Sequence, residues 1–87
     1  MTYEVKINKK VSKELARVPK QDRLRILERL RSLREDPHYG AEKLKGHDKF
    51  VRVRTGDYRI IFSVEGSEVY VLFVGHRKNV YDEFFGR

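Results

Sequence analysis

Hydrophobic positions at the start of the chain predict a strand followed by a short helix. Hydrophobic and polar residues alternate over residues 2–7, which is the period of a strand with one covered face. Asn8 has the side chain of a helix N-cap, because its oxygen can accept a hydrogen bond from a free backbone N–H group of the first turn. Hydrophobic residues then recur at helical spacing. They are Val11, Leu15 and Val18.

A second, longer helix is predicted to begin at Pro19, because proline interrupts the first helix and is tolerated in the first turn of the next. Leucine and isoleucine residues form the hydrophobic stripe of this helix. They are Leu24, Ile26, Leu27, Leu30 and Leu33. Arginines mixed with Asp22 and Glu28 occupy other positions, which is typical of a solvated helix surface. The helix is predicted to end at Asp36 and Pro37.

The second half of the chain predicts a loop and three strands. Residues 37–49 contain a proline, two glycines and several charges, which is the composition of a loop. Three runs with strand-like composition follow, at residues 50–54, 58–64 and 69–74. The gaps between these runs have the length and the glycines of hairpin turns, so we expect an antiparallel meander.

A short C-terminal helix completes the predicted order of elements. Residues 78–85 place Val80 and Phe84 at helical spacing. The order is then one N-terminal strand, two helices, a three-strand antiparallel meander and a terminal helix, which indicates an α+β fold with one sheet and the helices on one face. A length of 87 residues suits one hydrophobic core, so we expect a single domain over residues 1–87.

The register of the first hairpin decides which face of the sheet carries the arginines. If residues 56–57 form a two-residue turn, Arg54 lies opposite Arg59. Directly paired residues share a face, so Arg52, Arg54 and Arg59 then project together from the face away from the helices. A three-residue turn would instead split the arginines and bury an unpaired guanidinium, at a cost of several kcal/mol. We therefore expect three cations on an uncovered face.

Alternation along the last strand leaves the placement of His76 and Arg77 open. A turn at residues 66–67 pairs residue 64 with residue 69, and strict alternation then sends four residues to the arginine face. They are Tyr70, Leu72, Val74 and His76. Arg77 falls on the opposite face in this register. Gly75 can accommodate a bulge that reverses the assignment, so the sequence does not choose between His76 and Arg77.

The composition favours a polyanionic partner. The net charge is +7, and charged residues make up 38% of the chain against roughly 25% in an ordinary domain. Lysines and arginines placed against phosphates release condensed counterions, which favours binding to nucleic acid. Nucleic acid, the ribosome and an acidic protein are all compatible with this charge.

The sequence offers no disulfide, metal site or membrane span. There is no cysteine, so neither a disulfide nor a thiolate metal site can form. His38, His47 and His76 show no paired ligand spacing, and we interpret them as surface histidines. No hydrophobic stretch approaches the ~18 residues that cross a bilayer. We expect a cytoplasmic protein without a membrane partner, metal or small-molecule cofactor.

Three segments carry a distinctive combination of residues. They read Lys-Leu-Lys-Gly at residues 43–46, Arg-Val-Arg-Thr-Gly-Asp-Tyr-Arg-Ile-Ile-Phe at residues 52–62, and Val-Gly-His-Arg-Lys-Asn-Val-Tyr-Asp at residues 74–82. Together with the order of elements, they resemble the RelE branch of the RelE/ParE toxin superfamily over nearly the whole chain. The resemblance implies a type II toxin that enters the ribosomal A site and cuts messenger RNA. It also implies a cognate, RelB-like antitoxin that holds the toxin inactive.

The resemblance further implies roles for individual side chains. It places the family's working arginines at Arg59 and Arg77 and its near-terminal tyrosine at Tyr81. Its cationic strand corresponds to Arg52 and Arg54. Arg52, Arg59, Arg77 and Tyr81 are therefore the expected catalytic residues, and Arg54 is expected to bind RNA.

Two positions depart from the family's pattern. A strand lysine to which the family's general-base role has been assigned aligns with Arg52, and a neighbouring lysine position holds Phe50. Arginine side chains, with a pKa above about 12, accept protons poorly at neutral pH. Either another residue takes the proton, or the protein cuts slowly or not at all.

A nuclease with these side chains would use the ribose 2′-hydroxyl as its nucleophile. Attack on the adjacent 3′-phosphate leaves a 2′,3′-cyclic phosphate and a 5′-hydroxyl, while arginines stabilise the extra negative charge. Tyr81, His76 and Lys45 are the candidates for proton transfer. Lys43, Lys45 and Lys49 are expected to hold flanking RNA phosphates, and His76 is a further predicted RNA contact.

Two other functions fit the same residues. A ParE-like toxin would inhibit gyrase without hydrolysing anything, and it would tolerate the loss of Tyr81 because no proton has to move. A basic nucleic-acid-binding module without catalysis would bind RNA with an affinity that falls steeply as salt rises.

Overall fold

The computed structural model of the protein describes residues 2–86, which form five strands, two α-helices and one π-helical turn. The elements in chain order are β1 (Glu4–Ile7), α1 (Lys9–Arg17), α2 (Lys20–Ser32), β2 (Glu42–Leu44), β3 (His47–Thr55), β4 (Tyr58–Glu65), β5 (Glu68–His76) and the C-terminal turn (Tyr81–Phe85). The predicted α+β class is confirmed. Helix α1 packs against β5, and α2 packs against β3 and β4.

Both helices begin where the sequence predicted. The Oδ1 atom of Asn8 accepts a hydrogen bond of 2.8 Å from the backbone N–H group of Val11, which is the predicted N-cap. Helix α2 follows Pro19 directly. Val11 and Leu15 are buried on the sheet side of α1, as their spacing indicates.

The hydrophobic stripe of α2 is narrower than predicted. Ile26, Leu30 and Leu33 are buried, whereas Leu24 is 55% exposed and Leu27 is 40% exposed. At 100° per residue, Leu24 lies about 160° around the helix from Ile26, so the two cannot face the same sheet. The predicted stripe therefore includes two residues, Leu24 and Leu27, that lie outside the core.

The sheet is mixed and has five strands in the order β1-β5-β4-β3-β2. Strand β1 runs parallel to β5, with Val5 opposite Val69, and the other neighbours are antiparallel. Residues 37–49 were predicted as a loop, but residues 42–44 form the edge strand β2 and β3 already begins at His47. The polar composition of this short edge strand explains why it reads as a loop, because an edge strand next to solvent needs few hydrophobic residues.

The register of the first hairpin is the predicted one. Arg54 pairs with Arg59, and Arg52 pairs with Ile61. The second hairpin also begins as predicted, with Val64 opposite Val69. The sheet therefore has the face that we call the arginine face, which carries Arg52, Arg54 and Arg59, and the helix face, which packs against α1 and α2.

A bulge in β5 reverses the alternation earlier than expected. Phe62 pairs with Val71 but Ile61 pairs with Phe73, so Leu72 is the extra residue. Beyond the bulge, Phe73 lies on the arginine face, and Val74 lies on the helix face.

The same shift places His76 on the helix face, where it pairs with Tyr58. The alternation that sent Val74 and His76 to the arginine face was therefore wrong. Gly75 serves a different purpose from the predicted bulge, because a Cβ atom there would lie 2.4 Å from the Phe73 ring.

Each face of the sheet has a hydrophobic core of its own. The larger core lies between the helices and the sheet and includes Val11, Ile26, Val53, Ile60 and Phe62. The smaller core lies on the arginine face. Its buried members are Leu44, Ile61, Phe73 and Val80, and Phe50, Phe84 and Phe85 pack against them. The C-terminal turn thus covers part of the face that was predicted to be uncovered.

Candidate nucleic-acid interface

Four arginines converge at the turn end of the hairpin formed by β3 and β4. Arg54 lies directly opposite Arg59, and Arg52 projects from the same face two residues earlier. The backbone N–H group of Arg77 donates a hydrogen bond of 2.8 Å to the carbonyl oxygen of Asp57, which holds Arg77 beside the turn. Partial burial lowers the pKa of Arg59, and the positive charges of Arg54, Arg52 and Arg77 lower it further. Arg59 therefore lies within electrostatic reach of the other three guanidinium groups.

Two of these arginines have carboxylate partners. The Nη2 atom of Arg52 lies 2.8 Å from Oε1 of Glu42, and the Nε atom of Arg77 lies 3.6 Å from Oδ1 of Asp57. The hydrogen bond from Arg52 lowers the pKa of Glu42, and the charges of Arg52 and the other hairpin arginines add to this effect. Arg77 and Asp57 are both exposed, so their ion pair is weak and readily exchanged for another anion.

Within residues 2–86, the other two arginines have no carboxylate partner. The Nη1 atom of Arg59 donates to the backbone carbonyl oxygens of Gly56 and Tyr58, at 3.1 and 3.0 Å, which fixes its guanidinium over the turn. Arg54 is exposed and makes no side-chain hydrogen bond or ion pair within residues 2–86. The cluster therefore has surplus positive charge, and guanidinium groups match the oxygens of a phosphodiester.

A cleft of about 530 Å³ opens next to Arg52, between β2, β3 and the C-terminal turn. Its cationic residues are Lys43, Lys45 and Arg52, and its aromatic residues are His47, Tyr81 and Phe85. Leu44 and Val80 form its hydrophobic wall. Tyr81 is 75% exposed, so its hydroxyl is available to a ligand. The predicted catalytic residues Arg52 and Tyr81 thus share one cavity with two of the predicted RNA-binding lysines.

His47 is a member of this cleft that the sequence did not reveal. Its ring stacks on Phe50 with 5.7 Å between centroids and lies 5.1 Å from the ring of Phe85. The Phe85 ring is in turn 5.4 Å from that of Tyr81. The sequence could have placed His47 in the cleft only if β2 had been predicted, because the hairpin of β2 and β3 brings His47 close to the C-terminal turn.

His76 lies apart from the arginine cluster. On the helix face its ring meets that of Tyr58 edge-on at 5.3 Å, and its Nδ1 atom accepts a hydrogen bond of 3.1 Å from the backbone N–H group of Lys78. It lines a small pocket together with Glu14 of α1. The RNA contact of His76 stays a prediction, but the cleft and the cluster do not include its side chain.

Lys49 also lies outside the cleft. It lines a separate pocket of about 470 Å³ with Lys43, Asp48 and Glu65, at the edge of the sheet formed by β2 and β3. Lys43 borders both cavities.

Within residues 2–86, no group of three histidine or carboxylate side chains is placed to hold a metal ion. Neither helix of this region has the length and hydrophobicity to cross a membrane.

Comparisons with known proteins agree in pointing to one superfamily. Residues 5–81 match the family described as ParE toxin of the type II toxin-antitoxin system parDE. A 43-residue stretch is 42% identical to Toxin RelE3 of Methanocaldococcus jannaschii and covers 49% of this chain and 49% of that protein. The match therefore spans about half the length of this curated relative.

Two solved structures share the fold. A chain of the archaeal RelE-RelB complex from Pyrococcus horikoshii superposes with a TM-score of 0.75 and 36% identity, over 88% of this chain and 97% of that one. A chain of the toxin-antitoxin complex RelBE2 from Mycobacterium tuberculosis gives a TM-score of 0.80 with 21% identity, over 88% and 100% of the two chains. The second likeness concerns the fold alone. With the match over residues 5–81 and the identity to the archaeal structure, the chain belongs to the RelE branch of the RelE/ParE superfamily of type II toxins.

Proposed function

We propose that the protein is a toxin that cleaves messenger RNA on the ribosome and is held inactive by a cognate antitoxin. The observation that carries the proposal is the arginine cluster, in which Arg54 and Arg59 have no carboxylate partner among residues 2–86 and Arg52 borders a cleft that contains Tyr81. Such surplus positive charge next to an exposed phenol suits a scissile phosphodiester better than it suits a protein surface.

The scissile phosphate is proposed to lie against Arg59 and Arg77. Arg59 is preorganised by its two backbone hydrogen bonds, so little reorganisation is required when charge develops on the phosphate. Arg77 exchanges its exposed partner Asp57 for the phosphate. Arg54 binds the neighbouring RNA backbone, and the flanking phosphates pass to three lysines. These are Lys43, Lys45 and Lys49.

Arg52 contributes charge and not proton transfer. Its Nη2 atom is held by Glu42, and its Nε atom is buried without a hydrogen-bond partner within residues 2–86. A phosphate oxygen that entered the cleft would satisfy this donor. The departure from lysine at this position therefore keeps a phosphate-binding group and removes a proton acceptor.

The reaction is proposed to be attack of the ribose 2′-hydroxyl on the adjacent phosphorus. The ribosome and the cleft together hold the 2′-hydroxyl in line with the bond from phosphorus to the leaving 5′-oxygen. The arginines stabilise the pentavalent phosphate. The arginines supply the positive charge that a metal ion supplies in other nucleases, so the proposed reaction requires none. Tyr81 moves a proton at the edge of the cleft.

Arginine substitutions test this function. Arg59→Ala and Arg77→Ala should each lower the rate of cleavage on translating ribosomes by roughly 10²–10³-fold, because each removes a donor to the transition state. Growth arrest on induced expression should disappear accordingly. Arg31→Ala is the matched control, since Arg31 is exposed on α2 far from the cluster. Full toxicity of both cluster variants would overturn the proposal.

A second candidate is a ParE-like toxin that inhibits gyrase without hydrolysis. The observation that favours it is the match of residues 5–81 to the family described as ParE toxin. A DNA supercoiling assay separates the two functions. Inhibition of supercoiling with intact cellular messenger RNA would establish the gyrase inhibitor, and it would persist in a Tyr81→Phe variant.

The antitoxin is proposed to act on the C-terminal region. The C-terminal turn covers the smaller core with only five residues, and it carries the exposed Tyr81 at the cleft. A partner segment that pins or displaces residues 78–85 would close the cleft. Backbone hydrogen exchange of residues 78–85 should therefore change when the antitoxin binds, and unchanged exchange there would contradict this mode of inhibition.

A further inference from the structure

The proposed cleavage lacks a group that accepts the proton of the 2′-hydroxyl. Arginine side chains accept protons poorly, which excludes Arg52, and His76 lies on the helix face. Lys45 is in the cleft, but an ammonium group has to lose its proton before it can act as a base. The question is therefore which side chain in the cleft offers a lone pair near neutral pH.

We propose that His47 is the general base of this site and that Tyr81 is its acid. This inference rests on the proposed function. His47 lines the same cleft as Arg52 and Tyr81, and Arg52 is the arginine of the cluster that borders this cleft. Histidine is the side chain best suited to exchanging protons at physiological pH.

The aromatic rings around His47 support a positioning role for this part of the cleft. The imidazole stacks on Phe50 with an angle of only 15° between the ring planes, and Phe85 lies against it from the C-terminal turn. Two aromatic rings on different elements therefore flank the exposed imidazole. Phe50, which stands where the family has a lysine, acquires a function as the support of His47.

The Phe85 ring lies next to both proposed proton carriers. Its centroid is 5.1 Å from His47 and 5.4 Å from Tyr81. Cleavage needs one group that acts on the entering oxygen and one that acts on the leaving oxygen, and both side chains border the same cleft. The charged groups that share the cleft are Lys43, Lys45 and Arg52, and all three are cationic.

The proposed step is balanced in protons and electrons. The unprotonated imidazole nitrogen of His47 takes the proton from the 2′-hydroxyl as the 2′-oxygen forms its bond to phosphorus. The bond from phosphorus to the 5′-oxygen breaks, its electron pair stays on that oxygen, and the Tyr81 hydroxyl donates the proton. The products are a 2′,3′-cyclic phosphate and a 5′-hydroxyl, and water returns the proton from His47 to Tyr81.

Single-turnover cleavage of a defined codon on programmed ribosomes tests this assignment. His47→Gln should lower the rate by roughly 10²–10⁴-fold, the usual contribution of a general base. Ribosome affinity and thermal unfolding should stay at the wild-type level. Lys20→Gln is the matched control, because Lys20 is exposed on α2 and lines neither the cleft nor the pocket of Lys49, and it should cut at the wild-type rate.

Two further variants separate proton transfer from charge and from structure. His47→Arg keeps a cation that cannot accept a proton at neutral pH, so it should be as slow as His47→Gln. His47→Ala leaves space for free imidazole, which should restore cleavage in a concentration-dependent way. A purely structural role would show no such rescue, and a purely electrostatic role would leave His47→Arg active.

The outcomes distinguish this inference from the proposed function. If wild-type protein cuts and His47→Gln or His47→Arg cuts within threefold of it, the assignment of His47 is overturned and the nuclease function stands. Absence of imidazole rescue in a folded, ribosome-binding His47→Ala variant would overturn it in the same way. If wild-type protein makes no cut, the proposed function fails and the inference fails with it.

Discussion

The two faces of the sheet are held by very different amounts of packing. On the helix face, α1 and α2 cover a core with thirteen buried residues. On the arginine face, four buried residues are covered by Phe50 and by the five-residue C-terminal turn, which contributes Phe84 and Phe85. Beyond that turn the arginine face is open, and it carries the four arginines and the cleft.

This contrast teaches where stability and function lie in a small domain. The helix face supplies most of the hydrophobic stabilisation, so the arginine face can retain charged groups that stability alone would disfavour. The smaller core instead positions the C-terminal turn, which carries Tyr81 and Phe85. Substitutions in the two cores should therefore differ in kind and in size.

The largest effect is expected in the helix-face core. Phe62→Ala should lower the free energy of unfolding by about 3–5 kcal/mol, because Phe62 is fully buried and its truncation leaves a cavity in the core. Phe84→Ala, at a partly buried position of the C-terminal turn, should lower the free energy of unfolding by only about 1–2 kcal/mol. Urea unfolding of both variants measures the difference. Equal losses would show that the two faces contribute alike.

A smaller loss of stability is expected from a substitution at Gly75, which lies in β5, the strand that contributes residues to both cores. Gly75→Ala places a Cβ atom 2.4 Å from the Phe73 ring, and overpacking of this kind costs about 1–3 kcal/mol. Since Phe73 supports the turn, hydrogen exchange of residues 81–85 should also accelerate.

Gly66→Ala is the control for this effect. A Cβ atom at Gly66 would meet nothing within 4 Å, although its φ of +62° costs about 1–2 kcal/mol in an L-residue. This variant should be less stable but should leave exchange in the turn unchanged. If Gly75→Ala behaves in the same way, Phe73 does not couple the sheet to the turn.

The smallest effect is expected from the ion pair on the arginine face. Arg52 lowers the pKa of Glu42 below its usual value of 4.5, so the ionised form is favoured in the folded state. The resulting stabilisation is present above pH 4.5 and is lost as pH falls through the lower, folded-state pKa. Because Glu42 is exposed, the change in stability is small, and carboxyl NMR titration is the better measurement.

The titration of Glu42 in the wild-type protein should be compared with its titration in the Arg52→Gln variant. The pKa of Glu42 should rise toward 4.5 in this variant, because its hydrogen bond and most of the neighbouring charge are lost. A wild-type Glu42 that titrates at or above 4.5 would contradict the ion pair.

Much of the fold followed from local signals in the sequence. Asn8 and Pro19 mark helix starts by their own chemistry, and the turn at residues 56–57 fixed the register of Arg54 and Arg59. These features depend on neighbours in sequence and on the high cost of burying an unpaired charge.

Other features depend on contacts that are distant in sequence. The bulge at Leu72 is marked by neither glycine nor proline, and it moved His76 to the helix face. The spacing of Val80 and Phe84 indicated a helical turn but not the surface it covers. His47 entered the cleft only because the unpredicted β2 and the C-terminal turn meet there.

Mapping the 5′ ends of cellular RNA after induced expression tests the central claim most directly. The account predicts new ends within translated codons, with a 5′-hydroxyl on one fragment and a 2′,3′-cyclic phosphate on the other, and predicts that Arg59→Ala removes them. Growth arrest with intact messenger RNA, or cuts that persist unchanged in Arg59→Ala, would contradict it.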